Sequence, residues 1–112
     1  MNDLAMRGPL GLKDPKPKKD PAYLAQVASL PCCICEAFGE RQTSPTQVHH
    51  VIMGRGSQRK TPDCMAIPLC YDHHQGGKGI HTRPAWWAES YGSDTDYIAT
   101  TQDALAGELN PT

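Results

Sequence analysis

Apolar material is scarce in this chain. Its 112 residues include a single Phe, aromatic side chains make up 6% and hydrophobic ones 38%, too little for a core that could hold a domain of this size unaided. No apolar run approaches the roughly 20 residues needed to span a bilayer, so no insertion into a membrane is expected. There are no internal repeats, and no signal peptide is expected ahead of the cysteines. The five cysteines are an odd number for a disulfide framework, and Cys32-x2-Cys35 has metal-ligand spacing. The expectation is a reducing, cytoplasmic protein that uses bound metal where a larger domain would use core, because ligand binding energy then becomes folding energy.

The chain also lacks a strong net charge, at −1, which would argue against a nucleic-acid partner if the charges were evenly spread. They are not. Between Arg41 and Arg83 stand Arg41, Arg55, Arg59, Lys60, Lys78 and Arg83 against Asp63 and Asp72, whereas every charge from Glu89 onward (Glu89, Asp94, Asp96, Asp103, Glu108) is negative. A basic centre and an acidic tail are compatible with a surface facing phosphates.

Cysteine and histidine, by contrast, are concentrated. Cys32 and Cys35 can offer two thiolates from one tight turn, and Cys70 and His73, at the same spacing, can add a thiolate and a nitrogen to complete a closed tetrahedral zinc site. Cys33 and Cys64 read as core or loop thiols, although Cys33 could displace Cys32. His49, His50, His74 and His81 remain unspent. A structural zinc does not account for them, so the reactive chemistry is sought there.

Residues 1–19, rich in Gly, Pro and Lys, are expected to be a flexible basic arm whose lysines could brush phosphates or simply aid solubility. Residues 20–112 read as one domain. Asp20 before Pro21 starts a helix with Tyr23, Leu24, Val27 and Leu30 at helical spacing, ended by Pro31. Cys32 to Gly39 should form a knuckle and Thr43 to Gln47 a polar loop. Val48 to Met53 carries the histidine pair at the end of a strand, and Met65 to Leu69 is a second strand leading through Cys70 into a helix, where Asp72 suits the positive end of the helix dipole. Gln75 to Gly79 interrupts that helix. Pro84 opens another, with Ala85, Trp86, Trp87, Ala88 and Tyr91 as its packing face and Gly92 as its stop; Asp94 or Thr95 caps a last helix reaching about Leu109, with Ile98, Leu105 and Leu109 facing inward.

Phosphodiester cleavage needs a metal to bind the scissile phosphate and a base to activate water. Adjacent residues on a strand point to opposite faces, so His49 and His50 can divide that work, one binding metal and one taking a proton at neutral pH. His73 and His74 diverge by about 100° on a helix, so one can face the zinc and the other a cleft.

Pro31-Cys32-x2-Cys35, Val48-His49-His50, Ile67-Pro68-Leu69-Cys70-x2-His73-His74, Ile80-His81 and Ala85-Trp86-Trp87 together resemble the HNH, or ββα-metal, nucleases, specifically the phage group related to the recombination enhancement function (Ref) protein. The likeness runs from about Leu30 to Leu105. It implies a small zinc-stabilised α+β domain of the HNH type with extra flanking helices and DNA endonuclease activity. It further implies His49 and His74 as ligands of a catalytic divalent ion and His50 as the general base. The ion is expected to be Mg²⁺ or Mn²⁺, with Ni²⁺ or Zn²⁺ as alternatives because imidazole ligands suit softer ions than Mg²⁺. A phage or prophage origin, work in the cytoplasm of a bacterial host and a role in recombination, beside a recombinase filament, would also follow. His81 is a third ligand, a phosphate contact or neither. Many HNH enzymes have Asp where His49 stands, and the middle Asn of the motif has no counterpart; Asp63 is the nearest polar side chain to brace the loop that aims the base. Arg55, Arg59, Lys60 and Lys78 are the expected DNA contacts. Trp86 and Trp87 read as packing on the zinc knot in preference to stacking on bases.

Two other classes compete. A catalytically silent zinc module that binds DNA or a recombination protein would use the same basic segment and arm. A redox protein built on Cys32-x2-Cys35 is weaker, because the βαβ setting of such motifs is missing.

Overall fold

The computed structural model describes residues 19–53 and 61–109, with side chains up to residue 107. The expected arm up to residue 18, and the DNA contacts expected at Arg55, Arg59 and Lys60, lie outside the described residues, as does the side chain of Leu109.

Helix α1, Pro21–Ala28, starts as its sequence dictates. The Asp20 carboxylate accepts from the Tyr23 amide at 3.1 Å, and the proline occupies the first turn, where its missing N–H costs nothing. Val27 and Leu30 are buried and meet Leu105 in a small cluster that Tyr23 and Val48 cover. The knuckle at Cys32 is itself helical: α2 spans Cys33–Phe38 and ends on Gly39, whose φ of 64° is the left-handed conformation a side chain would disfavour.

The sheet has two antiparallel strands, β1 (Thr46–His49) and β2 (Ile67–Cys70), with Thr46 opposite Cys70 and His49 opposite Ile67. Both strands differ in extent from the sequence-based expectation. β1 begins two residues before Val48, taking in polar Thr46 and Gln47, because their side chains are satisfied where they lie: the Thr46 hydroxyl donates to the Leu30 carbonyl and accepts from Gln42, and Gln47 meets His74. It stops at His49, so Val51 to Met53 lie beyond it. β2 starts at Ile67 because Asp63–Met65 forms a 3-10 turn.

A four-residue helix α3 (Tyr71–His74) follows β2 directly. Helix α4 (Pro84–Tyr91) buries Trp87 fully and half-buries Trp86 and Tyr91, while Ala85 and Ala88, expected on its packing face, are exposed. Gly92 ends it, as predicted. The next cap is Ser93, not Asp94 or Thr95: its hydroxyl accepts from the Thr95 amide and Asp96 reaches back to the Ser93 amide, opening a 3-10 turn, Asp94–Tyr97, that leads into α5 (Ile98–Leu109). The main core gathers Ile34, Val51, Ile67, Leu69, Ile80 and Trp87 around Cys32, Cys33, Cys35 and Cys70. The protein is thus a small α+β fold with a two-stranded sheet and a cysteine-rich centre. Among the described residues no helix is long and apolar enough to cross a membrane.

Candidate metal centres

The first turn of α2 and the β2–α3 junction each bring two side chains to one point. Ligand atoms of Cys32, Cys35, Cys70 and His73 all lie within 4.8 Å of one another, and all four residues are buried. His73 Nδ1 stands 3.1 Å from Cys70 Sγ, 3.6 Å from Cys32 Sγ and 3.7 Å from Cys35 Sγ. A tetrahedral zinc with bonds of about 2.3 Å to sulfur and 2.0–2.1 Å to nitrogen sets a sulfur–nitrogen edge of about 3.6 Å. The residues therefore fit such an ion. Burial pushes the Cys32 and Cys35 thiols up, and the charge of neighbouring thiols raises each further. Three thiolates crowded together need a cation to balance them. Burial also lowers the pKa of His73, favouring the neutral imidazole that can ligate.

Outer groups hold this cluster in place. The Cys32 amide donates to Gln42 Oε1 at 2.8 Å, and the Trp87 indole donates to the His73 carbonyl at 3.0 Å. The two tryptophans thus pack as the sequence suggested, Trp87 against the knot and Trp86 against Tyr91 with the Arg83 guanidinium 4.8 Å from its ring centre. Glu40 Oε1 is 3.2 Å from His73 Nε2, within ion-pair distance but out of hydrogen-bond alignment. Lys78, expected to contact DNA, has its ammonium 3.8 Å from the same carboxylate oxygen, beside the sulfur cluster. Cys33 is buried next to the cluster but outside it, Cys64 is exposed on the 3-10 turn, and all five thiols are free.

A second group collects His49 from the end of β1, His74 from the end of α3 and His81. One ring nitrogen of each lies within 4.8 Å of the others. His74 and His81 face each other at 3.2 Å between their Nε2 atoms, and the His49 ring is 5.0 Å and 5.3 Å, centre to centre, from those two. Nitrogens sharing a tetrahedral ion with bonds of 2.0–2.1 Å stand about 3.4 Å apart, which the closest pair approximates. What brings His81 here is the turn through Gly79. The Ile80 and His81 amides donate back to the His73 and His74 carbonyls, and a Cβ on residue 79 would lie 2.7 Å from the carbonyl carbon and oxygen of His74. Only glycine permits that approach.

The hydrogen bonds decide which nitrogens face the centre. His49 Nε2–H donates to Asp94 Oδ2 at 2.9 Å, leaving Nδ1 buried with no hydrogen-bond partner. His74 Nδ1–H donates to Gln47 Oε1 at 2.8 Å, leaving Nε2. Burial, followed by the nearby charges of His49 and His81, lowers the His74 pKa to about 4, so the ring is neutral and its lone pair available at neutral pH.

His50 is not one of the converging rings. It follows the last residue of β1, and its Nε2 lies 2.8 Å from Asp63 Oδ1, while Asp63 Oδ2 accepts from the Asp20 amide at 2.7 Å. The sequence offered Asp63 only as a brace for a loop; it is bonded to the imidazole itself. Asp94 was anticipated only as a helix cap. It lies 45 residues from His49, and no local pattern marks it.

Fold and clusters define a small α+β protein with a buried Cys3His site able to bind a metal such as zinc. By sequence it belongs to the DUF968 family of proteins of unknown function, whose family model matches residues 9–107 and so takes in both clusters. No curated protein and no solved structure matches the chain.

Proposed function

We propose that the protein is a metal-dependent endonuclease of the HNH type that hydrolyses DNA phosphodiesters, with β1, β2 and α3 as its ββα unit. The carrying observation is the convergence of His49, His74 and His81 beside a separate, closed Cys3His cluster. A domain that needed metal only to fold would have no use for the second group. His49, His74 and His81 would hold one divalent ion, which would offset charge developing on the phosphate and the departing 3′-oxygen. Mg²⁺ or Mn²⁺ is the ordinary choice for this chemistry. All-imidazole donors favour Mn²⁺, Ni²⁺ or Zn²⁺ over Mg²⁺.

His50 is the proposed base. Asp63 accepts its Nε2 proton, so the lone pair sits on Nδ1, ready to receive a proton from the attacking water while the carboxylate stabilises the imidazolium that forms. Arg55, Arg59 and Lys60 would contact flanking phosphates and supply the salt-dependent part of affinity.

The test is nicking of supercoiled plasmid by the purified, zinc-loaded chain with Mn²⁺, Mg²⁺ or Ni²⁺ added. His50→Ala should slow nicking by roughly 10²–10⁴-fold, the usual worth of a general base, with zinc content and melting temperature held. Retarded plasmid with no cut in any of these ions would instead identify a silent binding module, and equal rates in wild type and variant would remove His50 from the chemistry.

A further inference from the structure

We infer that Asp94 is the positioning residue of the three-histidine centre, selecting the His49 tautomer that leaves Nδ1 bare and tying that choice to the path of the chain beyond β1. The inference rests on His49, His74 and His81 forming a metal site. It does not require that the site cut DNA.

Asp94 is fully buried, an uncommon place for a carboxylate unless its oxygens are satisfied. Oδ2 accepts from His49 Nε2 at 2.9 Å and from the Ile52 amide at 2.7 Å, and Oδ1 accepts from the Met53 amide at 3.2 Å. A carboxylate has only acceptors to offer, so the His49 proton must reside on Nε2. Nδ1 then carries the lone pair and is buried with no hydrogen-bond partner. A buried acceptor left in that state is costly, and a cation held with His74 and His81 is the partner that removes the cost. The same oxygen that orients the ring anchors residue 52, so the geometry of His49 and the exit of the chain from β1 are set together. A carboxylate behind a ligating imidazole also raises its basicity, and loss of such outer partners weakens metal binding roughly 10–100-fold.

The experiment uses the full chain with zinc bound at the Cys3His cluster. Imidazole ¹⁵N spectra taken without a second ion should show His49 with Nε2 protonated and Nδ1 bare. Co²⁺ is then titrated into the zinc-loaded protein and followed by its visible absorption. Asp94→Ala should scramble the His49 tautomer and weaken Co²⁺ binding roughly 10–100-fold while zinc stays at one equivalent. Asp94→Asn can still present an oxygen to His49 and Ile52, so it should keep the tautomer and lose less affinity, and it tests the point even if the alanine variant does not fold. A proton on Nδ1 of wild-type His49, binding of zinc alone by the wild type, or unchanged Co²⁺ affinity in Asp94→Ala would each overturn the assignment. Wild type that nicks nothing yet shows this tautomer and this dependence on residue 94 upholds it while ending the nuclease reading. Nicking that survives with Co²⁺ affinity indifferent to Asp94→Ala does the reverse.

Discussion

The two clusters share the β2–α3 junction, where neighbouring residues His73 and His74 serve one each, yet they are built on opposite principles. The Cys3His group takes its four side chains from two stretches, each with two residues between its ligands, seals all of them from solvent, and fills a tetrahedral sphere. The histidine group takes three side chains from a strand end, a helix end and a turn, and leaves one of them, His81, exposed. A saturated, buried sphere is the signature of a metal that holds a fold, and an incomplete one on the surface is that of a metal that can meet a substrate. Their surroundings differ in the same sense. The Gln42 amide and the Trp87 indole hold the backbone of the sulfur-cluster ligands, whereas Asp94 and Gln47 bond the imidazole rings themselves and fix their tautomers.

Damage to the first cluster should therefore cost the fold, and damage to the second should cost chiefly metal binding. The largest effect is expected from Cys70→Ser or from stripping metal with a strong chelator. Structural zinc contributes on the order of 10–16 kcal/mol in small zinc domains at neutral pH, comparable to the roughly 5–15 kcal/mol of total stability of an ordinary domain. Cooperative melting and near-ultraviolet dichroism should vanish together with bound zinc. A zinc-free Cys70→Ser chain that melts like wild type would show that the sulfur cluster does not hold the fold. Next comes Trp87→Ala, which removes the largest fully buried side chain and its hydrogen bond to the His73 carbonyl. A loss of about 3–5 kcal/mol is expected, measured by urea unfolding at constant zinc.

How much of this was legible in the chain follows from how local each feature is. Cys32-x2-Cys35 and Cys70-x2-His73 are readable because two residues of spacing place both ligands on one turn, whatever the rest of the fold does. The start of α1 at Asp20-Pro21 and its stop before Pro31 are local for the same reason. The limits of β1 are not, since polar Thr46 and Gln47 enter a strand only because Gln42, Leu30 and His74 receive their side chains. His81 could not be assigned because its place depends on a chain reversal. Asp63 and Asp94 act across 13 and 45 residues respectively, beyond the range of any periodicity.

Gly79 sits where the two clusters meet and sharpens the contrast between them. Its Cβ would collide with the backbone of His74, which has no flexible end to move aside. Gly79→Ala should therefore push residues 80–81 away from α3 at a cost of about 1–3 kcal/mol, the usual range for overpacking. Zinc should remain at one equivalent while Co²⁺ binding at the histidine centre weakens. Loss of zinc with retention of Co²⁺ would mean that the turn serves the sulfur cluster instead.

The smallest effect on the fold, and the most telling for the comparison, is expected from His81→Ala. The side chain is exposed, and surface substitutions away from structural features usually change stability by no more than about 0.5 kcal/mol. Its Nε2 is nevertheless 3.2 Å from that of His74, so its removal takes one of three nitrogens from the centre. Co²⁺ affinity should fall at least as far as the roughly 10–100-fold typical of losing an outer partner, with melting temperature and zinc content unmoved. A side chain dispensable for folding and required for a second ion is what a working site, as opposed to a structural one, demands. An unchanged Co²⁺ titration would reduce the centre to His49 and His74, and two imidazoles without a third ligand would leave the second cluster no better claim to an ion than any pair of neighbouring histidines.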